Sequence, residues 1–385
     1  MSVRAKFLAL EQELNQLSLE RESLVRVLLL GLLSQEHVFV LGPPGADKSR
    51  LISTLMNRVE DADCFSVLLT RFTTPEEVLG PLSIPALERG IYQRVTQGML
   101  PKADLAFLDE IFKAGSAILN SLLRLLNERQ FRDAGKLCDS PLQTVFAASN
   151  ELGQAEELGP LYDRLLLRVR VDYLAEESNV THLLEAKASV GPPPLAGAPT
   201  PTPVTLTLAD MQLAQGSAAA VGLPGEVLQL MLGIRADLRR QGLSVSDRRF
   251  LATTKLVKAE AWLNGHSTAL PCDVEVLAHA LWSEPSEQRL VTTSVLRRAS
   301  PLAAKALRLR DLAAEQRDLA VQPTGSTESE RAEAMTKLKG LVDSLSALRD
   351  QAANSDGVPP RVDRALKQVQ AMRREVLREC LGVEC

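Results

Sequence analysis

Aromatic residues are scarce in this 385-residue chain, at 4%. A core with so few large rings has to be filled by Leu, Val and Ala, a mixture that leans towards helix. Cysteine is equally thin. The five present (Cys64, Cys138, Cys272, Cys380 and Cys385) are scattered, odd in number and include no CxxC pair. That argues against a disulfide framework or a structural zinc site, and for a reducing compartment. The four histidines (His37, His182, His266 and His279) form no HExxH, the spacing that puts two imidazoles on one helix face. Long apolar runs are missing too: Val25–Leu33 is interrupted by Arg26 and Gly31 and is too short to cross a bilayer. The opening MSVRAKFLALEQELNQL has no apolar signal core, so a cytoplasmic protein without membrane insertion is expected. Basic excess is also absent. The formal net charge of −4 leaves no electrostatic footprint for nucleic acid or an anionic membrane.

What remains is ordinary for a globular protein, 45% hydrophobic and 24% charged, in a length that implies two or three domains. Leu8–Leu33 reads as one long helix, because Leu10, Leu14, Leu17, Leu24 and Leu28 recur at helical steps. The runs HVFVL (37–41), FSVLL (65–69), LAFLD (105–109) and TVFAAS (144–149) read as short strands with helices between them. Such alternation implies an α/β core with a parallel sheet covered on both faces, over residues 1–189. The proline-rich run Val190–Pro203 cannot hold helix or strand, so 190–204 reads as a linker. Residues 205–285 read as an all-helical unit, with Leu228, Leu232 and Leu238 on one pattern and Leu251, Leu256 and Val257 on another. Residues 286–385 read as a helical C-terminal extension, broken at QPTGSTES and NSDGVPP into about three helices. Met335, Leu338, Val342 and Leu345, then Val362, Leu366, Val369, Met372 and Val376, mark its apolar faces. A packed bundle and a projecting coiled coil both suit these short runs.

Three elements carry chemistry. GPPGADKS, from Gly42 to Ser49, follows a strand and opens a helix. Its glycines let backbone N–H groups turn onto phosphate oxygens, and the helix N-terminus adds partial positive charge. Gly42, Pro43, Pro44, Gly45, Ala46, Asp47, Lys48, Ser49 and the following Arg50 are therefore candidate nucleotide contacts. Lys48 would reach the β- and γ-phosphates of ATP, and Ser49 would hold Mg²⁺. Asp47 stands where the P-loop pattern has glycine, which puts a carboxylate beside the phosphates. Next, LAFLDE ends a strand in two carboxylates: Asp109 suits the magnesium shell, and Glu110 suits orientation and deprotonation of the attacking water. Last, Asn150 ends the next strand, where its amide suits placing that water.

With these residues in hand the chain resembles the MoxR branch of the AAA+ ATPases, and within it the RavA-like group. The resemblance runs over roughly residues 1 to 285 through GPPGADKS, TRFTTPEEVLGPLSI (70–84), LAFLDEIFKAGSAILNSLL (105–123), NERQFRD (127–133), AASNEL (147–152), LYDRLLLRV (161–169) and SDRRF (246–250). It implies an AAA+ P-loop core, a helical lid, a homo-hexameric ring and chaperone-like remodelling of a protein client. It also assigns Asn150 to sensor 1, Arg164 to the arginine finger that serves the neighbouring subunit, with Arg168 as rival, and Arg248 to sensor 2 in its own subunit, with Arg249 beside it. Two inserts are implied as client contacts, a hairpin over Pro81–Leu100 and one over Gln130–Leu142 turning at Asp133–Lys136; plain exposed hairpins are the competing reading. A von Willebrand A domain partner follows from the resemblance alone. The tail has no β-rich stretch of the kind RavA-like proteins use to dock an inducible lysine decarboxylase, so that partner is not expected. Two alternatives stand beside the motor: a nucleotide-binding switch with weak turnover, which Asp47 motivates, and a DNA-acting AAA+ motor, which the charge disfavours.

Overall fold

The structure, a computed structural model, describes residues 1–152, 155–175, 177–188, 203–321, 328–353 and 360–381; most of the expected linker falls outside them. The chain forms two compact units, one of residues 1–228 and 243–288, the other of residues 229–242 and 289–385.

The first unit starts with α1 (Val3–Leu17) and α2 (Glu22–Ser34), not with one helix. The break has a local cause. Ser18 is extended and Glu20 takes a left-handed φ of 58°, so the helical hydrogen bonds cannot run through. Helix α2 is buried almost all round, from Leu24 to Ser34, which marks a core helix. There follow β1 (Val38–Leu41), α3 (Lys48–Met56), β2 (Val59–Glu60), β3 (Cys64–Leu68), α4 (Pro75–Leu79), α5 (Ile84–Leu87), β4 (Leu105–Asp109), α6 (Ser116–Glu128), β5 (Gln130–Asp133), β6 (Lys136–Asp139), β7 (Thr144–Ser149), α7 (Ala155–Tyr162), β8 (Leu167–Arg170) and α8 (Glu177–Ala188). Five strands make a parallel sheet in the order β3–β4–β7–β1–β8. Every residue of β1 and β7 is buried, as continuous apolar runs in a sheet covered on both faces should be. The α/β expectation holds, and the structure adds a strand. In β8 the sequence LRVR hides its strand character behind Arg168, which is fully buried.

The two inserts differ from one another. Strands β5 and β6 form the expected hairpin, turning through Ala134 (φ 48°) and Gly135 (φ 76°), the two positive dihedrals that a two-residue hairpin turn needs. The segment after Gly80 is not a strand hairpin. It holds the short helix α5, introduced by Ser83 with Pro85 just inside, a helix start rather than a strand. A single antiparallel bridge, Leu82 to Arg94, closes it. The inserts are joined: Ala134 N donates to Tyr92 O at 3.1 Å and Arg94 N to an Asp133 carboxylate oxygen at 2.7 Å.

After β9 (Leu206–Thr207), which pairs with β2, come α9 (Leu208–Ala219), α10 (Gly225–Arg240), α11 (Asp247–Asn264) and a 3-10 stretch, Pro271–His279. Of the apolar pattern read for α10, Leu238 is buried and the other two positions are one residue off. Leu228 and Leu232 are exposed, and the buried stripe is Val227, Met231, Ile234 and Leu238. Leu251 is likewise exposed, while Leu256 and Val257 are buried.

In the second unit, α12 (Gln288–Ala299), α13 (Pro301–Val321), α14 (Glu328–Ala353) and α15 (Pro360–Leu381) follow. The last three pack together: Ala306, Ala313 and Ala320 repeat every seven residues against Leu338 and Leu345 and against Val362, Val369 and Val376. Ion pairs of Arg349 with Asp363 (2.8 Å) and Arg317 with Glu375 (3.8 Å) fix an up-down-up arrangement, a three-helix bundle of coiled-coil spacing. Beside it, the buried Asp237 accepts hydrogen bonds from Arg240, Arg297 and Arg298. Among the described residues no helix is long and apolar enough to cross a membrane.

Candidate functional site

Three neighbouring strands, β4, β7 and β1, end at the same edge of the sheet. Their register sets Leu41 level with Ser149, and Leu108 level with Ala147. Ligands of parallel α/β sheets gather at this carboxyl edge.

The loop Gly42–Asp47 leaves β1 there. Gly42 has no alternative: a Cβ on it would stand 2.3 Å from Val171 O. Gly45 is required by its dihedral instead, with φ at 78° and open space around it. Asp47 also sits in the left-handed region, at φ 65°, where Asp is among the side chains best tolerated after glycine. Helix α3 then begins at Lys48.

The ammonium of Lys48 is buried and donates to Gly42 O (2.5 Å), Pro43 O (2.7 Å) and Asn150 Oδ1 (2.9 Å). Burial pulls its pKa down, partly offset by the charges of Asp109 and Glu110. Ser49 Oγ donates to Asp109 Oδ2 at 2.8 Å. Glu110 is buried in a left-handed turn and meets Lys113 at 3.3 Å. These groups surround a cavity of about 310 Å³ lined by the run Pro44–Arg50 with Asp109, Glu110 and Asn150. A second cavity, of about 670 Å³, shares Asn150 and carries Gly42, Pro43, Arg170, Asp172 and Tyr173.

The arginines divide by exposure. Arg168 is fully buried, stacked 3.8 Å over the Tyr162 ring and donating to the carbonyls of Leu165, Tyr162 and Trp282. Arg249 is buried too, on Trp282 O and Ser283 Oγ. Neither can reach outside its own chain. Arg248 is exposed and bonds the Asn127 amide oxygen. Arg164 is half-buried, and its Nε has no hydrogen-bond partner. Burial lowers the Arg164 pKa first, and the charge of nearby Arg248 lowers it further. So Arg164 and Arg248 stand together, and neither lines the cavity that holds Lys48.

A family model described as the MoxR domain in the MoxR-vWA-beta-propeller ternary systems matches residues 5–196, and an AAA lid domain model matches residues 226–295. The chain belongs to the MoxR family of AAA+ ATPases. An uncharacterised protein of Methanocaldococcus jannaschii is 32% identical over 375 residues, covering 95% of this chain and 97% of its own. Chaperone MoxR1 of Mycobacterium tuberculosis is 25% identical over 169 residues, 43% of this chain and 44% of that protein. The crystal structure of a candidate ATPase from Cytophaga hutchinsonii superposes with a TM-score of 0.59 at 17% identity, covering 77% of this chain and 94% of that one, which shows the shared AAA+ fold.

For a MoxR ATPase the residues present fit a nucleotide with its metal. Ser49 and Asp109 put two hard oxygens 2.8 Å apart at the cavity, the donor type that suits Mg²⁺. Lys48 supplies a cation, and the turned backbone at Gly45 and Asp47 leaves room for phosphate oxygens. Sequence reasoning did not find the groups that brace this loop. Arg21 donates to Ala46 O at 3.2 Å and Asp172 O at 2.8 Å, Ser18 donates to Asp47 at 2.9 Å, and Tyr173 donates to Pro44 O at 3.1 Å. Their positions carry no sequence signal, because they act from the α1–α2 joint and from the segment after β8, both far from the loop along the chain.

Proposed function

We propose that the chain works as a cytoplasmic homo-hexameric ring whose ATP sites lie between subunits, and that Mg²⁺-dependent hydrolysis there remodels a protein partner. The observation that carries this reading is the separation of Arg164 and Arg248 from the Lys48 cavity. A γ-phosphate bound beside Lys48 needs its remaining positive charge from another copy.

In this site Lys48 binds the phosphates, and Ser49 with Asp109 holds the metal. Bound Mg²⁺ supplies charge neutralisation across the phosphate oxygens. Glu110 accepts a proton from the attacking water at its carboxylate, and the Asn150 amide orients that water. Arg164, together with Arg248, reaches into the neighbour's site and stabilises charge as the transferred group separates. For Arg248 this revises the assignment to its own subunit's nucleotide.

The client side rests on the joined inserts. Ile84, Ile91, Tyr92, Val95 and Leu137 are exposed there, more large apolar surface than a solvated loop normally shows. The partner class is a von Willebrand A domain protein, as the matched family model's description suggests. That description also favours such a system over the RavA-like placement.

The test is subunit mixing. Arg164→Ala and Lys48→Ala should each hydrolyse little ATP alone. Mixed in equal amounts, about a quarter of random interfaces regain both intact halves, and turnover should return. Full turnover by Arg164→Ala alone would sink the shared site.

A further inference from the structure

The aspartate that interrupts the glycine pattern of the loop does not face the cavity with a free charge. Its carboxylate accepts Arg50 Nε at 2.5 Å, a second bond from Arg50 Nη2, and Ser18 Oγ at 2.9 Å. Arg50 Nη2 also donates to Leu17 O at 2.9 Å and Ser18 Oγ at 3.3 Å. The break between α1 and α2 is what brings Leu17 and Ser18 to this point. Three residues further on, Arg21 holds Ala46 O from the same joint.

We propose that Asp47, Ser18 and Arg50 form a brace that keeps the phosphate loop in its binding shape, so that Asp47 strengthens nucleotide binding instead of opposing it. Asp47 is a positioning residue here. Its left-handed backbone costs a non-glycine residue free energy, and the fork to Arg50 with the Ser18 bond offsets that cost. The same partners neutralise the charge. The Arg50 guanidinium sets a full positive charge against the carboxylate, and Ser18 Oγ donates to it as well. A glycine at this position would remove both the charge and the tether, and the loop would sample more conformations.

The proposal rests on the nucleotide site argued above, and the experiment separates the two. Binding of a fluorescent ADP analogue and steady-state ATP turnover are measured for the wild type, Asp47→Gly, Asp47→Asn and Ser18→Ala, each checked for folding by circular dichroism. Because Arg50 is largely exposed, the brace is worth less than a buried pair. Asp47→Gly should raise Kd about three- to tenfold and Ser18→Ala about threefold. Asp47→Asn, which tolerates the same dihedral and still accepts from Ser18, should rescue most of the loss. For Ser18→Ala, whose side chain lies outside the cavity lining, turnover at saturating ATP should stay within about twofold while Kd rises, since loop shape governs binding and not proton transfer. Charge repulsion predicts the opposite sign. Equal or tighter binding by Asp47→Gly, or no effect of Ser18→Ala, overturns the brace, whereas a wild type that binds no nucleotide overturns the site itself.

Discussion

His37 immediately precedes β1, the inner strand that leads to the phosphate loop, and it should make the core acid-sensitive. Its Nδ1 accepts Val145 N–H at 3.0 Å, and its Nε2 lies 2.9 Å from Leu126 O and 2.7 Å from the Arg129 guanidinium, so an added proton finds no room beside that charge. Burial and the charge of Arg129 push this imidazole from 6.5 down to about 3. In the unfolded chain it returns to about 6.5. The unfolded state therefore binds the extra proton between these values, and stability falls as pH drops through 6.5. Between pH 7.5 and 5.0 the free-energy difference amounts to about 1.5 pH units, or about 2 kcal/mol at 1.36 kcal/mol per unit. Urea unfolding followed by fluorescence of Trp262 and Trp282, both in the first unit, reports it. In His37→Gln the buried partners are left poorly paired, so stability should drop at every pH by about 1–3 kcal/mol. The informative quantity is the slope: the variant should lose about 2 kcal/mol less than the wild type over the same interval. Identical pH dependence in the two proteins would refute the reasoning.

Two further substitutions probe the inserts and the second unit. Gly80→Ala would place a Cβ 2.0 Å from Val95 O at a φ of 98°, so the insert after it should open at a cost of about 3 kcal/mol or more; limited proteolysis should cut within 81–98, and an unchanged digestion pattern would count against this. Asp237→Asn removes the carboxylate shared by Arg240, Arg297 and Arg298, whose bonds hold it well below the usual carboxylate range, the Arg298 bond foremost. The stability it gives is present above the ordinary aspartate value and fades as pH falls, so the variant should lose about 1–2 kcal/mol at neutral pH. Helix-specific hydrogen exchange in α12 should rise; unaltered protection would show that the three arginines hold α12 without it.

The parts of the site that follow one another along the chain were legible. GPPGADKS, the LAFLDE strand and Asn150 lie in order because a parallel sheet delivers its chemistry at successive strand ends. What stayed hidden needed three dimensions. Strand β8 was concealed by Arg168, since a buried guanidinium satisfied by carbonyls and a tyrosine face looks like surface charge in one dimension. The α1–α2 break went unread because leucine spacing continues across it and only backbone dihedrals at Ser18 and Glu20 interrupt the helix. That Arg168 and Arg249 are buried while Arg164 and Arg248 reach the surface is likewise invisible in one dimension. On α10 Leu238 was read correctly, and the error at Leu228 and Leu232 has the same root: they satisfy a helical period as well as Met231 does, and the pattern alone does not say which stripe faces inward.

The broken N-terminal helix carries a lesson about portability. The octapeptide Gly42–Ser49 would satisfy any pattern search wherever it occurred, yet its third-from-last residue is fixed from a serine 29 positions upstream. Transplanted into another scaffold, the same eight residues would arrive with an unanchored carboxylate pointing at the phosphates. A chimera built by exchanging loops should therefore carry the joint at Leu17–Arg21 with it, because the loop and its brace are inherited together or lose their meaning.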